Sequence, residues 1–440
     1  MIWSQLLSPQ RLDQKPGSNE PSRSAFEQDY DRIIFSHPFR RLQDKTQVHP
    51  LPEHDFVHTR LTHSLEVSSV GRSLGKRVGE IILQRHPALQ KDFSLFDFGA
   101  IVAAASLAHD LGNPPFGHAG EDALSDFFLH HPQGQQFKEK VSAAEWSDLT
   151  KFEGNAQGFR LLNKKEYGLK LTAATLGTFT KYPCPAFFPS RSKTQKSQKK
   201  FGFFQTELDF FRRAADQLGL IPGGKEVWCR HPLAFLVEAA DDICYNIIDL
   251  EDGCRMGLVN FDETVEMMAS ILGGQFNAEK LKRHISLNEK LGVLRALAIG
   301  KLVDECTDIF LADEQAILNG SFDTALTAVC PSKAALDSIG NVSVEKIYRS
   351  RHVVQIEASG HEVLPGLLSE FVMAGFHLTN KSHSRKYANL ALLLPEEVRN
   401  SIEQNSKDIY GILRHVIDFV SGLTDRHALS LFRTIKGFSN

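Results

Sequence analysis

Residues 97–110 form an apolar run of helical length that ends in His109-Asp110 and passes directly into the loop LGNPPFGH at residues 111–118. Proline cannot continue a helical hydrogen-bond ladder, so the glycine and the paired prolines end the helix here. A helix that is apolar on most of its surface is buried. An imidazole and a carboxylate at the end of such a helix, followed by a rigid loop, indicate a functional site rather than a solvated surface.

The composition limits the class of protein. The 440 residues suffice for one large helical domain with additions or for two domains, and the 42% hydrophobic content is typical of a sizeable core. A net charge of −3 argues against a broad basic surface that binds nucleic acid, although the chain could still contain a local basic groove. No apolar run approaches the roughly 20 residues that span a bilayer, and the amino terminus lacks a signal-peptide layout. The six cysteines are scattered without a CxxC pair, so we expect a cytoplasmic protein with reduced thiols and no membrane partner.

Apolar residues recur at helical spacing through most of the chain, whereas strand patterns are sparse. The spacing predicts helices over residues 24–35, 59–84, 97–110, 119–130, 153–163 and 232–250, and again within 367–440. The best strand candidate is Val353–Glu357. We therefore predict an all-α, mainly α-helical protein with a few short strands and a helical C-terminal extension.

Changes in composition divide the chain into three predicted regions. Residues 1–22 are polar and contain proline and glycine, which indicates a loose N-terminal arm. Residues 23–260 would form the catalytic core, and residues 261–440 a mostly helical region that completes the pocket and provides oligomer contacts. Within the core, residues 183–207 combine prolines with a run of lysines between positions 193 and 200, which is typical of a mobile basic insertion or lid.

Four residues that are distant in the chain can be interpreted as one metal site: His63, His109, Asp110 and Asp241. Two imidazoles and two carboxylates can hold one divalent ion and leave positions open for water and substrate. Taken alone, a histidine such as His63 is more often a buried core residue with hydrogen-bonded ring nitrogens than a metal ligand. A carboxylate at the end of an apolar helix needs a partner to offset its desolvation, and that partner is either a metal or the following loop.

The helix predicted over residues 232–250 carries Asp241, Tyr245 and Asp249 at intervals of four, so that these side chains share one face. Acidic residues on a helix usually mark its solvated side. Periodicity alone therefore leaves both a functional and a solvated face open.

Six ordered strings of sequence resemble one known family. They are FRRLQDKTQV from residue 39, RLTHSLEV from residue 60, AHDLGNPPFGHAGE from residue 108, FEGNAQGFR from residue 152, EAADDICYNIIDLEDG from residue 238 and TDRHAL from residue 424. The order and helical context resemble the HD-domain superfamily and, within it, the dGTPase-like deoxynucleoside triphosphate triphosphohydrolases. This resemblance implies an HD-domain catalytic core and hydrolysis of a deoxynucleoside triphosphate, dGTP first among them. Water would attack the α-phosphorus and release the deoxynucleoside and inorganic triphosphate.

The resemblance also assigns the metal and the proton transfer. His63, His109, Asp110 and Asp241 would bind one divalent ion per site, which from the ligand types is Mn²⁺, Mg²⁺ or Fe²⁺, with Zn²⁺ also compatible. His118 would be the catalytic acid or base, with Glu121 as its partner three residues further on. The less favoured alternative for these two residues is a helix-capping pair.

Substrate contacts follow from the same resemblance. Gln47 would contact the sugar and Asn113 would lie near the phosphates. Arg60 is on the helix face of His63 and would meet a phosphate oxygen, the alternative being an exposed salt-bridge partner. Tyr245 would occupy the space of a 2′-hydroxyl, and Asp249 would accept from the 3′-hydroxyl.

Cations are needed for the polyphosphate tail. Lys181, Tyr182 and Lys200 are the candidates, and the alternative for the other lysines between 193 and 200 is a solvated loop. The TDRHAL string favours a structural role for Asp425 and Arg426.

The sequence also suggests binding partners and leaves competing functions open. The resemblance implies a homo-oligomer, commonly a hexamer, and the lysines leave single-stranded nucleic acid open as a secondary ligand. One competing hypothesis is an HD-type phosphodiesterase or nucleotidase, and another is a non-catalytic nucleotide sensor or single-stranded nucleic-acid binder. The strings KTQV, FEGNAQ and DDICYNIIDLED argue against the nucleotidase.

Overall fold

A computed structural model describes residues 1–13, 23–48, 58–192, 194–380 and 384–438, apart from the side chain of His352. The described residues are predominantly helical, and the prediction of an all-α protein is confirmed. The α-helices are α1 Trp3–Leu6, α2 Ala25–Ile34, α3 His37–Arg41, α4 Arg60–Arg85, α5 Leu95–Ala108, α6 Gly117–His130, α7 Pro132–Gln135, α8 Ala143–Thr150, α9 Gly154–Asn163, α10 Ala173–Phe179, α11 Leu208–Leu218, α12 Ala234–Arg255, α13 Phe261–Leu272, α14 Ala278–Lys282, α15 Leu287–Ala312, α16 Glu314–Leu318, α17 Lys333–Val342, α18 Arg351–Asn380, α19 Arg385–Leu392, α20 Glu396–Gln404, α21 Ile409–Ser421 and α22 Asp425–Lys436.

Shorter elements connect these helices. Single 3₁₀ turns lie at Leu42–Asp44, Pro87–Lys91, Lys138–Lys140, Lys165–Tyr167, Lys196–Gln198, Gln205–Glu207, Gly273–Gln275 and Leu326–Ala328, and a π turn lies at Ser343–Tyr348. The strands β1 Pro222–Gly224 and β2 Val227–Trp228 pair antiparallel as one small sheet. Of the helices described, none has both the length and the apolar character that a bilayer span demands.

Helices α4 and α5 form the centre of the fold and set the position of the site. Glycines at 71, 75 and 79 give α4 a side without side chains, and a Cβ atom on Gly75 would lie only 2.7 Å from the Phe98 carbonyl oxygen. Gly71 faces Ser106 while Gly79 faces Phe98, so the two helices run antiparallel. The start of α4, with His63, therefore lies beside the end of α5, which leads into His109-Asp110.

Two hydrophobic clusters surround this pair of helices. The larger one contains the apolar faces of α4, α5, α12 and α15, and the second is built from α6, α18 and α21. Residues from both clusters line the same cavity, so the C-terminal helices form part of its wall.

The strand predicted at Val353–Glu357 is wrong, because these residues lie in the first turns of the long helix α18. The β-branched residues gave a local strand signal, which is a weak preference. Val353, Val363, Leu364 and Leu367 are all buried, and they recur at the spacing of a helix that packs on α6 and α21. Tertiary packing therefore outweighs the local preference.

Two segments predicted to be loose are packed where the structure describes them. Leu6 and Leu7 are fully buried, and the Trp3 indole Nε1 donates to Glu314 Oε1 at 3.0 Å; residues 14–22 of the predicted arm lie outside the described residues. In the segment 183–207, Cys184, Ala186, Phe201 and Phe204 form a hydrophobic cluster with Ala156 and Val227. Lys193 in that segment is outside the described residues.

Candidate functional site

The four side chains predicted to hold a metal converge at the junction of α4, α5 and α12. His63 Nε2 lies 3.3 Å from Asp241 Oδ1, and His109 Nε2 lies 3.5 Å from both Asp110 Oδ1 and Asp241 Oδ1. The two imidazole rings meet edge to face with their centroids 5.3 Å apart. Residues that are 178 positions apart in the chain thus face one point in space.

The donor set fits a divalent ion. Ligands about 2.0–2.2 Å from a metal and at right angles to one another are themselves about 3 Å apart, which is close to the separations observed here. His109 Nδ1 lies 2.7 Å from the Ser106 carbonyl oxygen. A carbonyl only accepts, so Nδ1 carries the proton and the lone pair of Nε2 faces the cluster, as in many metal sites.

Asp110 is the most heavily engaged of the four side chains. Arg60 Nη1 donates to its Oδ2 at 2.5 Å and Asn113 Nδ2 donates to its Oδ1 at 2.6 Å. Burial alone would raise the pKa of Asp110, but the Arg60 guanidinium and the two imidazoles outweigh burial and lower it to about 2. Arg60 is buried, which contradicts the alternative of an exposed salt-bridge partner.

The pair predicted for proton transfer forms at the start of α6. His118 Nδ1 lies 3.0 Å from Glu121 Oε2, while the other carboxylate oxygen of Glu121 accepts from the Gly154 amide at 2.6 Å. The hydrogen bond to Glu121 raises the pKa of His118. Glu121 is buried, whereas the side chain of His118 is open to the cavity.

All of these groups surround one cavity of about 530 Å³, a volume typical of a small-molecule site. Most of the residues predicted from sequence line it: Gln47, Arg60, His109, Asp110, Asn113, His118, Lys181, Tyr182, Lys200, Asp241 and Tyr245. Three others lie behind the wall. Each of them contacts a wall residue directly: His63 contacts Asp241, Glu121 contacts His118, and Asp249 contacts Tyr348.

Asp249 differs from the prediction that it meets the sugar. Its carboxylate is buried and accepts a hydrogen bond from the Tyr348 hydroxyl at 2.7 Å. Burial raises the pKa of Asp249 to about 8 although the Tyr348 hydroxyl opposes that shift. Tyr348 itself lines the cavity and stacks on Tyr245 with ring centroids 5.5 Å apart. Tyr245 and Tyr348 therefore form an aromatic part of the cavity wall, and Asp249 holds the Tyr348 hydroxyl on the side away from the cavity.

The cationic wall is held by carboxylates. Lys181 Nζ lies 3.4 Å from Glu238 Oε1, and Glu238 also accepts from the buried Arg230 at 2.8 Å. Lys200 Nζ lies 3.1 Å from Glu153 Oε1. Burial would lower the pKa of Lys181, but Glu238 outweighs it and raises that pKa, so the side chain stays charged.

The structural role predicted for Asp425 agrees with its hydrogen bonds to the loop at residues 111–118 and to Thr46, whereas sequence reasoning missed Lys45 and Phe116. Phe116 has a left-handed backbone with φ of 64°, which is strained for a non-glycine residue, and its amide donates to Asp425 Oδ1 at 3.2 Å. Both the amide and the hydroxyl of Thr46 donate to the other oxygen of Asp425. The buried Lys45 donates to the carbonyls of Asn113 at 2.5 Å and Ser421 at 2.9 Å. Lys45 and Asp425 stood in the KTQV and TDRHAL strings, which were the available signal.

His58 joins the two helices that bring His63 and Asp241 together. Its Nδ1 lies 2.7 Å from Asp252 Oδ2 on α12, and its Nε2 lies 3.1 Å from Glu66 Oε1 on α4. Burial would lower the pKa of His58, but the two carboxylates raise it to about 10. The imidazolium therefore donates to both helices at neutral pH.

A pH-dependent contribution to stability is expected from this contact. The unfolded state loses the His58 proton near pH 6.5 while the folded state keeps it, so the contribution is complete below pH 6.5 and is lost as pH rises towards 10. The difference in unfolding free energy between the wild type and His58→Gln should be largest at pH 6 and shrink by pH 9.5. Urea denaturation at several pH values measures it. His427→Gln, an exposed histidine on α22, is the control that should not alter the pH dependence; an equal difference for His58→Gln at every pH would contradict the prediction.

Comparisons with known proteins identify the families that this chain resembles. The family model described as HD domain matches residues 60–156, and the one described as phosphohydrolase-associated domain matches residues 331–434. The chain is 42% identical to a deoxyguanosinetriphosphate triphosphohydrolase-like protein of Synechocystis sp. and 40% identical to one of Pseudomonas aeruginosa, in each case over 100% of both chains. It is 31% identical to a deoxyguanosinetriphosphate triphosphohydrolase of Yersinia pestis over 98% of both chains.

Proposed function

Because the chain belongs to the deoxyguanosinetriphosphate triphosphohydrolase-like family of HD-domain phosphohydrolases, we propose that it hydrolyses a deoxynucleoside triphosphate, with dGTP the first candidate. The products would be the deoxynucleoside and inorganic triphosphate, formed by attack of water at the α-phosphorus. The observation that carries this proposal is the convergence of His63, His109, Asp110 and Asp241, in which each imidazole Nε2 lies 3.3–3.5 Å from a carboxylate oxygen, beside a cavity lined also by His118 and several lysines.

His63, His109, Asp110 and Asp241 would hold one divalent ion, for which Mn²⁺, Mg²⁺ and Fe²⁺ suit the ligand set. When bound, the ion would neutralise charge on the α-phosphate oxygens and orient the reacting groups. Arg60 restrains Asp110 from the opposite side at 2.5 Å, so the carboxylate is positioned before any ligand arrives.

Proton transfer is assigned to His118. Cleavage of the bond between the α-phosphorus and the 5′-oxygen leaves an alkoxide, which is a poor leaving group unless it receives a proton. Glu121 raises the pKa of His118 and so favours the imidazolium, which can donate that proton from Nε2 while Nδ1 stays hydrogen-bonded to Glu121. The Gly154 amide fixes Glu121 and thereby the orientation of the ring.

The polar atoms of the wall suit a nucleoside. Gln47 Oε1 is buried and has no hydrogen-bond partner within the described residues, so it is available to a sugar hydroxyl. Tyr245 presents its ring to the cavity and stacks on Tyr348, which limits its movement. A ring held in this way can exclude a 2′-hydroxyl.

Tyr245→Ala should therefore weaken discrimination against ribonucleotides, because it removes the ring that occupies the 2′ space. Exclusion of one hydroxyl by packing corresponds to a factor on the order of 10² in kcat/KM, and most of it should be lost. The measurement is the ratio of kcat/KM for dGTP to that for GTP. Tyr245→Phe keeps the ring and should keep the ratio; an unchanged ratio in Tyr245→Ala would remove the assigned role.

Product analysis tests the proposed reaction itself. Each of the four deoxynucleoside triphosphates is incubated with the protein and with Mn²⁺, Mg²⁺ or Fe²⁺, and the phosphorus products are separated. Inorganic triphosphate is expected. Pyrophosphate or phosphate would instead identify the alternative HD-type phosphodiesterase or nucleotidase, and tight binding without hydrolysis would identify a nucleotide sensor. The hexamer implied by the family is part of the proposal and is measured by analytical ultracentrifugation.

A further inference from the structure

We propose that Lys196 and Lys199, which lie outside the residues assigned above, supply the free positive charge that binds the terminal phosphates of the substrate and the released inorganic triphosphate. This inference rests on the proposed function and extends it to the anionic tail. The two lysines line the same cavity as Lys181 and Lys200. They differ from those two in their electrostatic partners.

Lys181 and Lys200 each face a carboxylate. Glu238 lies 3.4 Å from Lys181, and Glu153 lies 3.1 Å from Lys200. These carboxylates reduce the net positive charge that Lys181 and Lys200 present to the cavity. A triphosphate tail with about four negative charges needs further cations for neutralisation.

Lys196 and Lys199 supply those cations. Both residues line the cavity, and neither ammonium lies within ion-pair distance of a carboxylate in the described part of the chain, although the charge of Lys196 acts on Glu238 at longer range. Lys196 is half-buried and Lys199 is exposed. An ammonium that faces a cavity without a carboxylate partner attracts an anionic ligand and gives up no existing ion pair when it binds.

The backbone that carries these lysines is fixed. Ser197, between them in the 3₁₀ turn Lys196–Gln198, donates from its amide and hydroxyl to Asp323 at 3.1 and 2.8 Å. Arg191 donates to the carbonyls of Gln198 and Lys200 at 2.8 and 2.7 Å. A solvated loop would lack such anchors, and a fixed one loses less conformational entropy when the anion binds.

The test is calorimetric titration of the full-length protein with inorganic triphosphate in the presence of Mg²⁺, together with steady-state kinetics on dGTP. Loss of one partly exposed charge near a polyanion corresponds to on the order of a 10-fold change in the dissociation constant. Lys196→Ala and Lys199→Ala should each weaken triphosphate binding by about 10-fold and the double variant by more, with KM for dGTP rising in parallel. Lys196→Arg and Lys199→Arg should restore binding.

Lys225→Ala is the matched control, since Lys225 is an exposed lysine outside the cavity and its loss changes the net charge equally. Asp323→Ala tests the anchor: removing a negative charge should by electrostatics alone tighten anion binding, so weaker binding would identify the positioning role of Asp323. Unchanged triphosphate binding in the Lys196/Lys199 double variant overturns the inference. A wild type that binds triphosphate but hydrolyses no deoxynucleotide would instead contradict the proposed function and leave this inference standing.

Discussion

Asp110→Ala should abolish divalent-ion binding and hydrolysis together, with the largest effect of any single substitution in this chain. The carboxylate is one of four groups that face the candidate metal position, and it is also the partner of Arg60 at 2.5 Å and of Asn113 at 2.6 Å. Replacing residues that only support a metal ligand costs about 10–100-fold in affinity or activity. Removal of a ligand itself should therefore exceed about 100-fold in both.

Arg60 complicates the interpretation of Asp110→Ala, because this buried guanidinium would lose its ion partner. Breaking a buried pair from one side costs about 3–5 kcal/mol of stability. Asp110→Asn keeps the volume and one hydrogen-bond acceptor, so it separates metal loss from unfolding, which is monitored by thermal denaturation. Asp122→Ala, an exposed carboxylate on α6, serves as the control. Turnover that persists in a folded Asp110→Asn protein without bound Mn²⁺ would contradict the site assignment.

His118→Ala should leave metal and nucleotide binding nearly intact and lower kcat by about 10²–10⁴-fold, the usual contribution of general acid catalysis. The side chain is open to the cavity and does not contact the four metal-facing groups, so its loss should neither unfold the protein nor release the ion. Single-turnover rates with dGTP and calorimetric titration with Mn²⁺ measure the two effects separately.

The chain contains a matched control for His118. His130 lies at the other end of the same helix and faces Asp126 at 3.6 Å, a similar pair of imidazole and carboxylate that lies outside the cavity wall. His130→Ala should retain full activity. A Glu121→Gln variant should shift the pH dependence of kcat, because the hydrogen bond that raises the pKa of His118 loses its charge. A His118→Ala protein with wild-type kcat would exclude His118 as the proton donor.

The local sequence pattern was sufficient to predict the all-α fold class and the residue types of the candidate site. The apolar residues of α4 recur at intervals of three and four, and such spacing indicates which face of a helix is buried; the continuous apolar run of α5 and the proline loop after Asp110 predicted a buried helix and its end. The strings around His63, His109 and Asp241 likewise identified the residue types for a divalent ion. Local pattern failed at Val353–Glu357, where short-range strand preference conflicted with packing in α18.

Tertiary structure alone decided which charges are compensated and which face the cavity. Periodicity placed Asp249 on the face of Asp241, yet Tyr348, 99 positions later in the chain, covers it. Composition set only Lys200 apart among the lysines between 193 and 200, whereas the structure pairs Lys200 with Glu153 and places Lys196 and Lys199 in the cavity wall with no carboxylate of the described residues at ion-pair distance. Secondary structure depends on neighbours a few residues away, whereas ion pairs and cavity walls depend on segments brought together from the whole chain.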